Sequence, residues 1–96
     1  LKLLYIAIEY QYTERVLDLI EQRGLKHYQH LPRVQGRDPG GRHEGSQVFP
    51  GHLALLLVPV QDEDLEAVLD DFRALRESDD QYRNMIGLVL AAEQSF

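Results

Sequence analysis

Cysteine and tryptophan are absent from this 96-residue chain, and methionine occurs once. Without cysteine there is no disulfide framework, no thiolate metal site, no CxxC redox pair and no cysteine nucleophile. Aromatic residues are few, five Tyr and three Phe, and they are not interleaved with Lys and Arg in the way that stacks nucleic-acid bases. Long apolar runs are missing as well. No stretch approaches the roughly 20 residues that cross a bilayer as a helix. The first apolar stretch, Leu3 to Ile8, is too short for the core of a signal peptide and Glu9 follows it, so a cytoplasmic location is expected. Positive charge is scarce: ten Lys and Arg face sixteen Asp and Glu, a formal net charge of −6. That balance argues against nucleic acid as a partner and against an anionic membrane surface.

What remains is an ordinary globular composition, 44% apolar and 27% charged. The length fits a single domain over 1–96. A domain this small buries only about 60–65% of its unfolded surface, so its core is marginal unless something adds to it. The charge is split. Residues 1–48 carry seven basic and six acidic side chains, and residues 49–96 carry three and ten. The acidic excess lies mostly on one predicted helix face, where solubility accounts for it.

Residues 2–9 form a short apolar run rich in β-formers and predict a buried strand. Val16, Leu17 and Ile20 follow at helical spacing over 13–23, with Thr13 placed to cap the helix and Gly24 to stop it. Residues 25–35 read as a more polar strand, and Pro32 inside it predicts an edge or a bulge. Residues 36–47 hold four of the seven glycines and no large apolar side chain, which predicts a long flexible loop. His52 to Val60 reads as a strand apolar on both faces. A second helix follows, with Asp62 as its cap and Leu65, Val68, Leu69, Phe72 and Leu75 as its stripe. Residues 77–82 read as a charged turn, and 85–92 as the last strand.

The order β-α-β-β-α-β predicts an α+β, ferredoxin-like fold: a four-stranded antiparallel sheet with both helices on one face. The strands are apolar at consecutive positions, whereas two helices cover only one face. Side chains such as Leu55 and Leu57 are then left facing water, and a patch of that size marks an interface. The sheet's second face is expected to pack on other subunits.

Three constellations could carry chemistry. Glycines 36, 40 and 41 let successive N–H groups share a concavity, and Arg37 and Arg42 add fixed positive charge, a combination suited to an anion such as a phosphate. The spacing fits neither a phosphate-loop NTPase nor a dinucleotide fingerprint. His43, Glu44 and His52 flank the same loop and form a candidate set for a divalent metal. Ser46 lies three residues from His43, but a glycine-rich loop supplies neither a rigid nucleophile nor an oxyanion hole, so the chain is not expected to be an enzyme.

The opening Lys2 to Glu9 run, the helix after it, and Arg33-Val34-Gln35-Gly36-Arg37 leading into Gly40-Gly41-Arg42-His43-Glu44-Gly45 together resemble the PII signal-transduction proteins. Those proteins have a Val-x-Gly-x-Gly-Arg approach to a long T-loop. The Val48-Phe49-Pro50-Gly51 segment resembles the divergent PII-like branch with a short T-loop. The resemblance implies a homotrimer and a non-enzymatic sensor that binds a small effector between subunits. It also implies that the 36–47 loop changes shape with the ligand and docks on a protein partner such as a membrane transporter. Gly36 and Arg37 would lie near an effector phosphate, and Arg42 and His43 would order on binding. Where nucleotide-binding PII proteins have a Gly- and Lys-containing segment before the last strand, this chain has Glu77 to Asn84, with Arg83 as its one cation. That acidic stretch argues against a triphosphate and leaves a smaller nucleotide, another metabolite, a divalent metal or a protein open. The second reading is a CutA-type trimer that binds divalent metal, which fits the element order and the histidines. It lacks the late His-Pro-Tyr segment expected of that family.

Overall fold

A computed structural model describes residues 1–47 and 51–96. The elements in chain order are β1 (Lys2–Glu9), α1 (Thr13–Gln22), β2 (Gln29–Val34), β3 (Gly36–Asp38), β4 (Gly41–His43), β5 (Leu53–Val60), α2 (Leu65–Ser78) and β6 (Ile86–Ala91). Four strands form one sheet in the order β2-β5-β1-β6, with every neighbouring pair antiparallel. This is the strand order of the expected ferredoxin-like arrangement. β3 and β4 form a separate two-stranded hairpin.

The core lies between the sheet and the helices. Leu4, Ile6 and Ile8 of β1 and Leu56, Val58 and Val60 of β5 are buried, at every second position as the pleat requires. Against them pack Val16, Leu19 and Ile20 of α1 and Val68, Phe72 and Leu75 of α2. Each such aliphatic side chain contributes about 1.5–3 kcal/mol when fully buried. Leu17, Leu65 and Leu69 pack at the margin of this core. Tyr82 and Met85 close it below the entrance to β6, with the Tyr82 ring edge-on to Tyr12 at 5.8 Å between centroids.

The alternate positions face the other way. Tyr5 of β1 stands between Leu57 and Leu88, Leu3 between Pro59 and Leu90, and Ala7 between Leu55 and Ile86. On the edge strand, Leu31 stands beside Leu55. No helix covers this face among the described residues. Leu88 is 52% exposed, Leu90 47% and Leu31 42%.

Local signals mostly end the elements where the sequence places them. Gly24 adopts φ +72°, and the Gly24 and Leu25 amides donate to the Glu21 and Ile20 carbonyls, which closes α1 with a Schellman motif. β2 is indeed an edge strand, and its register with β5 shifts between Leu31 and Val34, around Pro32. Four details differ from expectation. Thr13 is the first helical residue rather than the cap, and its hydroxyl donates to the Tyr10 carbonyl at 2.7 Å, because a short 3₁₀ turn over 10–12 precedes α1. Asp62 likewise opens a 3₁₀ turn over 62–64 instead of capping α2. The second strand begins at 29 rather than 25. The stretch 77–82 is no open turn: α2 runs to Ser78, and Asp79 then caps a 3₁₀ turn by accepting the Gln81 amide at 3.1 Å.

Candidate functional site

The largest difference from the sequence reading is at residues 36–47. The first eight of them, expected to be flexible loop, form a tight hairpin. Asp38-Pro39-Gly40-Gly41 supplies its turn. Pro39 sets φ for the first turn position, the Asp38 carboxylate accepts the Gly40 amide at 2.7 Å, and Gly41 takes φ +119°, a conformation closed to most side chains. The pairs are Gly36 with His43, Arg37 with Arg42 and Asp38 with Gly41.

The hairpin folds back across one end of the main sheet. A Cβ at Gly36 would lie 3.1 Å from Leu53 Cδ1, at the start of β5. His43 approaches Glu9, at the end of β1. A Cβ at Gly40 would meet Asn84 Nδ2 at 2.6 Å, just before β6. The hairpin therefore passes the ends of three strands in turn, and Gly40 is confined by a side chain next to Arg83.

Alternation along β3 and β4 gives the hairpin two faces. Arg37 and Arg42 stand directly opposite each other on the exposed face. Like charges in that position repel. Arg42 is partly compensated by Glu44, with Nη2 to Oε1 at 2.7 Å and Nε to Oε1 at 3.3 Å. Gln35 Nε2 donates to the Glu44 carbonyl at 3.0 Å and holds that segment against the hairpin base. Gly36, Arg37, Arg42 and Glu44 line a shallow depression. Gly36 and Arg37 also border a cavity of about 280 Å³ on the uncovered face of the sheet, whose floor includes Tyr5, Ala7, Leu55, Ile86 and Leu88. A polar, cationic lip thus opens onto an apolar floor.

Of the six candidate effector residues, Gly36, Arg37 and Arg42 share one surface, and Gly40 and Gly41 build the turn that presents it. Arg83 lies at the same end of the sheet, its carbonyl held by Arg76 Nη2 at 3.0 Å. The candidate metal set His43, Glu44 and His52 does not assemble. Glu44 is engaged with Arg42, and the His52 ring stacks on Tyr10 with centroids 4.0 Å apart and planes 13° from parallel. His43 instead turns to the inner face, 2.9 Å from Asp38 Oδ1. Asp38 and Glu9 are not among the site residues that the sequence suggests. The Asp-Pro-Gly-Gly turn signal could have located Asp38, but no local signal marks Glu9. As for Val48, Phe49 and Pro50, they lie outside the described residues.

No protein-family model matches the chain, and no curated protein matches it. Solved structures do. CPII, a nitrogen regulatory PII-like protein from Thiomonas intermedia K12 bound to ADP, AMP and bicarbonate, aligns over 93% of this chain and 88% of its own. The TM-score is 0.73 and the identity 22%. CPII bound to ADP and bicarbonate aligns at TM-score 0.69 and 25% identity, over 93% of this chain and 80% of its own. A PII-like signalling protein from Thermus thermophilus aligns at TM-score 0.65 and 25% identity, over 92% and 82%. The chain has the PII-like fold. The resemblance read from the 33–51 stretch and the strand order thus meets an independent match in three dimensions. Within the PII-like fold, the 36–43 hairpin occupies the stretch that the sequence likens to a T-loop. No helix among the described residues is long and apolar enough to cross a membrane.

Proposed function

We propose that this chain is a PII-like, non-enzymatic sensor, one domain over 1–96, that works in the cytoplasm as a homotrimer. It binds a small anionic effector of the nucleotide class at the cleft bordered by Gly36 and Arg37. Gly40, Gly41, Arg42 and, from the neighbouring turn, Arg83 contribute to that site. The 36–47 segment then reports occupancy to a protein partner such as a membrane transporter. The observation that carries this reading is Arg37, which stands at the lip of a cavity with an apolar floor and opposite Arg42 on the exposed hairpin face. The two guanidinium groups stand side by side on one hairpin face, Glu44 offsets part of their charge at Arg42, and a bound phosphate would offset more, because Arg pairs phosphate bidentately. The apolar floor offers a surface for a flat base, and the ADP and AMP bound by CPII are ligands of this kind. A binding-driven change in the hairpin requires only that the effector prefer one arrangement of its arginines.

The test is a thermal-shift and calorimetric comparison of ADP, AMP, ATP and bicarbonate on the intact chain, with Arg37→Ala alongside. A ligand at a hundred times its Kd stabilises the folded state by about 2.7 kcal/mol. ADP or AMP is expected to raise the transition temperature, and Arg37→Ala to remove the shift. Absence of a shift with every adenine nucleotide, or a shift untouched by Arg37→Ala, refutes the reading.

A further inference from the structure

The inner face of the hairpin carries a second cluster, separate from the arginine face. Asp38 and His43 meet Glu9 there. His43 Nε2 lies 2.9 Å from Asp38 Oδ1 and 3.8 Å from Glu9 Oε1, and one ligand atom from each of the three residues lies within 4.8 Å of the others. Asp38 Oδ1 also accepts the Gly40 amide at 2.7 Å, and a second observation concerns the other oxygen of this carboxylate. The Asp38 side chain is 2% exposed, and its second oxygen, Oδ2, is buried with no hydrogen-bond partner among the described residues. A carboxylate oxygen removed from water and left unpaired is costly, and buried charges are normally paired or coordinate a metal.

We propose that Glu9, Asp38 and His43 form a binding site for a divalent cation of the zinc class. One imidazole and two carboxylates are ligands such ions accept, at about 2.0–2.2 Å. Two atoms each about 2.05 Å from one tetrahedral ion stand about 3.3 Å apart, between the 2.9 Å from His43 Nε2 to Asp38 Oδ1 and the 3.8 Å from His43 Nε2 to Glu9 Oε1. A nitrogen ligand disfavours magnesium and calcium, which take oxygen, and the lack of sulfur disfavours copper(I). Three protein ligands leave a coordination position open to water or an anion. The Glu9 and His43 side chains retain 20% and 14% exposure, so the site is not sealed from solvent. A bound ion would tie the end of β1 to both strands of the hairpin and fix the framework on which Arg37 and Arg42 stand. The site does not depend on the effector reading, because no effector residue is among its ligands.

The competing account is a histidine–aspartate hydrogen bond with no ion. Calorimetric titration of the full chain with zinc chloride in a non-chelating buffer separates the two, with cobalt(II) absorption as a readout of ligand geometry. One ion per chain is expected to bind. Asp38→Asn and Glu9→Gln, which preserve volume, should each weaken binding at least about tenfold, and His43→Ala should abolish the cobalt signal. Glu44→Gln and His52→Ala should leave affinity unchanged. The partly exposed Glu9→Gln keeps the test decisive even if circular dichroism shows that Asp38→Asn does not fold. Failure of zinc and cobalt to bind the wild-type chain overturns the proposal, as does an affinity that survives Glu9→Gln or falls with His52→Ala.

Discussion

Leu88→Asp tests what the uncovered sheet face is for. Leu88 is 52% exposed in the single chain and pairs in register with Tyr5, which in turn faces Leu57 across the sheet. A fully buried Leu contributes about 2 kcal/mol, so roughly 1 kcal/mol is already realised within the chain and about as much remains to be gained by covering it. The same holds for Leu90 and Leu31, at 47% and 42% exposure. In an isolated chain the substitution therefore costs little more than about 1 kcal/mol, and far-ultraviolet circular dichroism should be unchanged. In an assembly that buries this face, each copy would place an ionised carboxylate in an apolar contact. At about 3 kcal/mol per site that is roughly a hundredfold loss of affinity for every copy. Sedimentation velocity is the assay. The wild-type chain should sediment as a trimer, and Leu88→Asp as a folded monomer at the same concentration. A monomeric wild type refutes the reasoning outright. A trimer that survives Leu88→Asp places the interface elsewhere.

Two further outcomes follow from the same structure. Gly41→Ala forces a side chain into φ +119°, a strain of about 1–3 kcal/mol confined to the hairpin; hydrogen exchange of the 36–43 amides should quicken while the core amides stay protected. Arg23 donates two hydrogen bonds to Asp71, one of them Nη2 to Oδ1 at 2.9 Å, and this pairing, chiefly through its hydrogen bonds and also through charge attraction, holds the Asp71 carboxyl below its usual range against the opposing effect of desolvation. Its contribution is therefore present above the unfolded pKa of about 3.9 and disappears as pH falls through the lower folded value. Asp71→Asn should lower stability slightly at pH 7, and the two proteins should converge in acid; an equal difference at pH 7 and in strong acid would refute the assignment.

The parts of this fold that are legible in the sequence are those where a short window contains the whole cause. The stripe Leu65, Val68, Leu69, Phe72 and Leu75 has one explanation, a helix face, and that face packs on the core. Gly24 ends α1 because only a residue free to take positive φ can offer its amide back to Glu21. The consecutive apolar positions of β1 and β5 require two buried or coverable faces, and Leu55 and Leu57 lie on the uncovered one, as expected. Thr13 and Asp62 depart from expectation for a local reason. Each has the right chemistry for a cap, but a 3₁₀ turn moves the first α-helical amide relative to it, and spacing alone does not distinguish the two geometries.

The hairpin escapes a sequence reading for the opposite reason. Gly36-Arg37-Asp38 and Gly41-Arg42-His43 contain no apolar side chain by which a pleated strand would announce itself, and their strand character comes from pairing with each other and from lying across the sheet end. Alternation still operates in such a strand, but it sorts charges instead of burying carbon. It sends Arg37 and Arg42 outward together and turns Asp38 and His43 inward together. The inward pair is intelligible only once Glu9 is brought to it from 29 residues upstream of Asp38, a distance set by the βαβ crossover and invisible to any local window. Glycine-rich segments read as loops therefore merit a check for period-two charge alternation around an Asp-Pro-Gly-Gly turn. Here that alternation separates two guanidinium groups from a carboxylate and an imidazole on six strand residues.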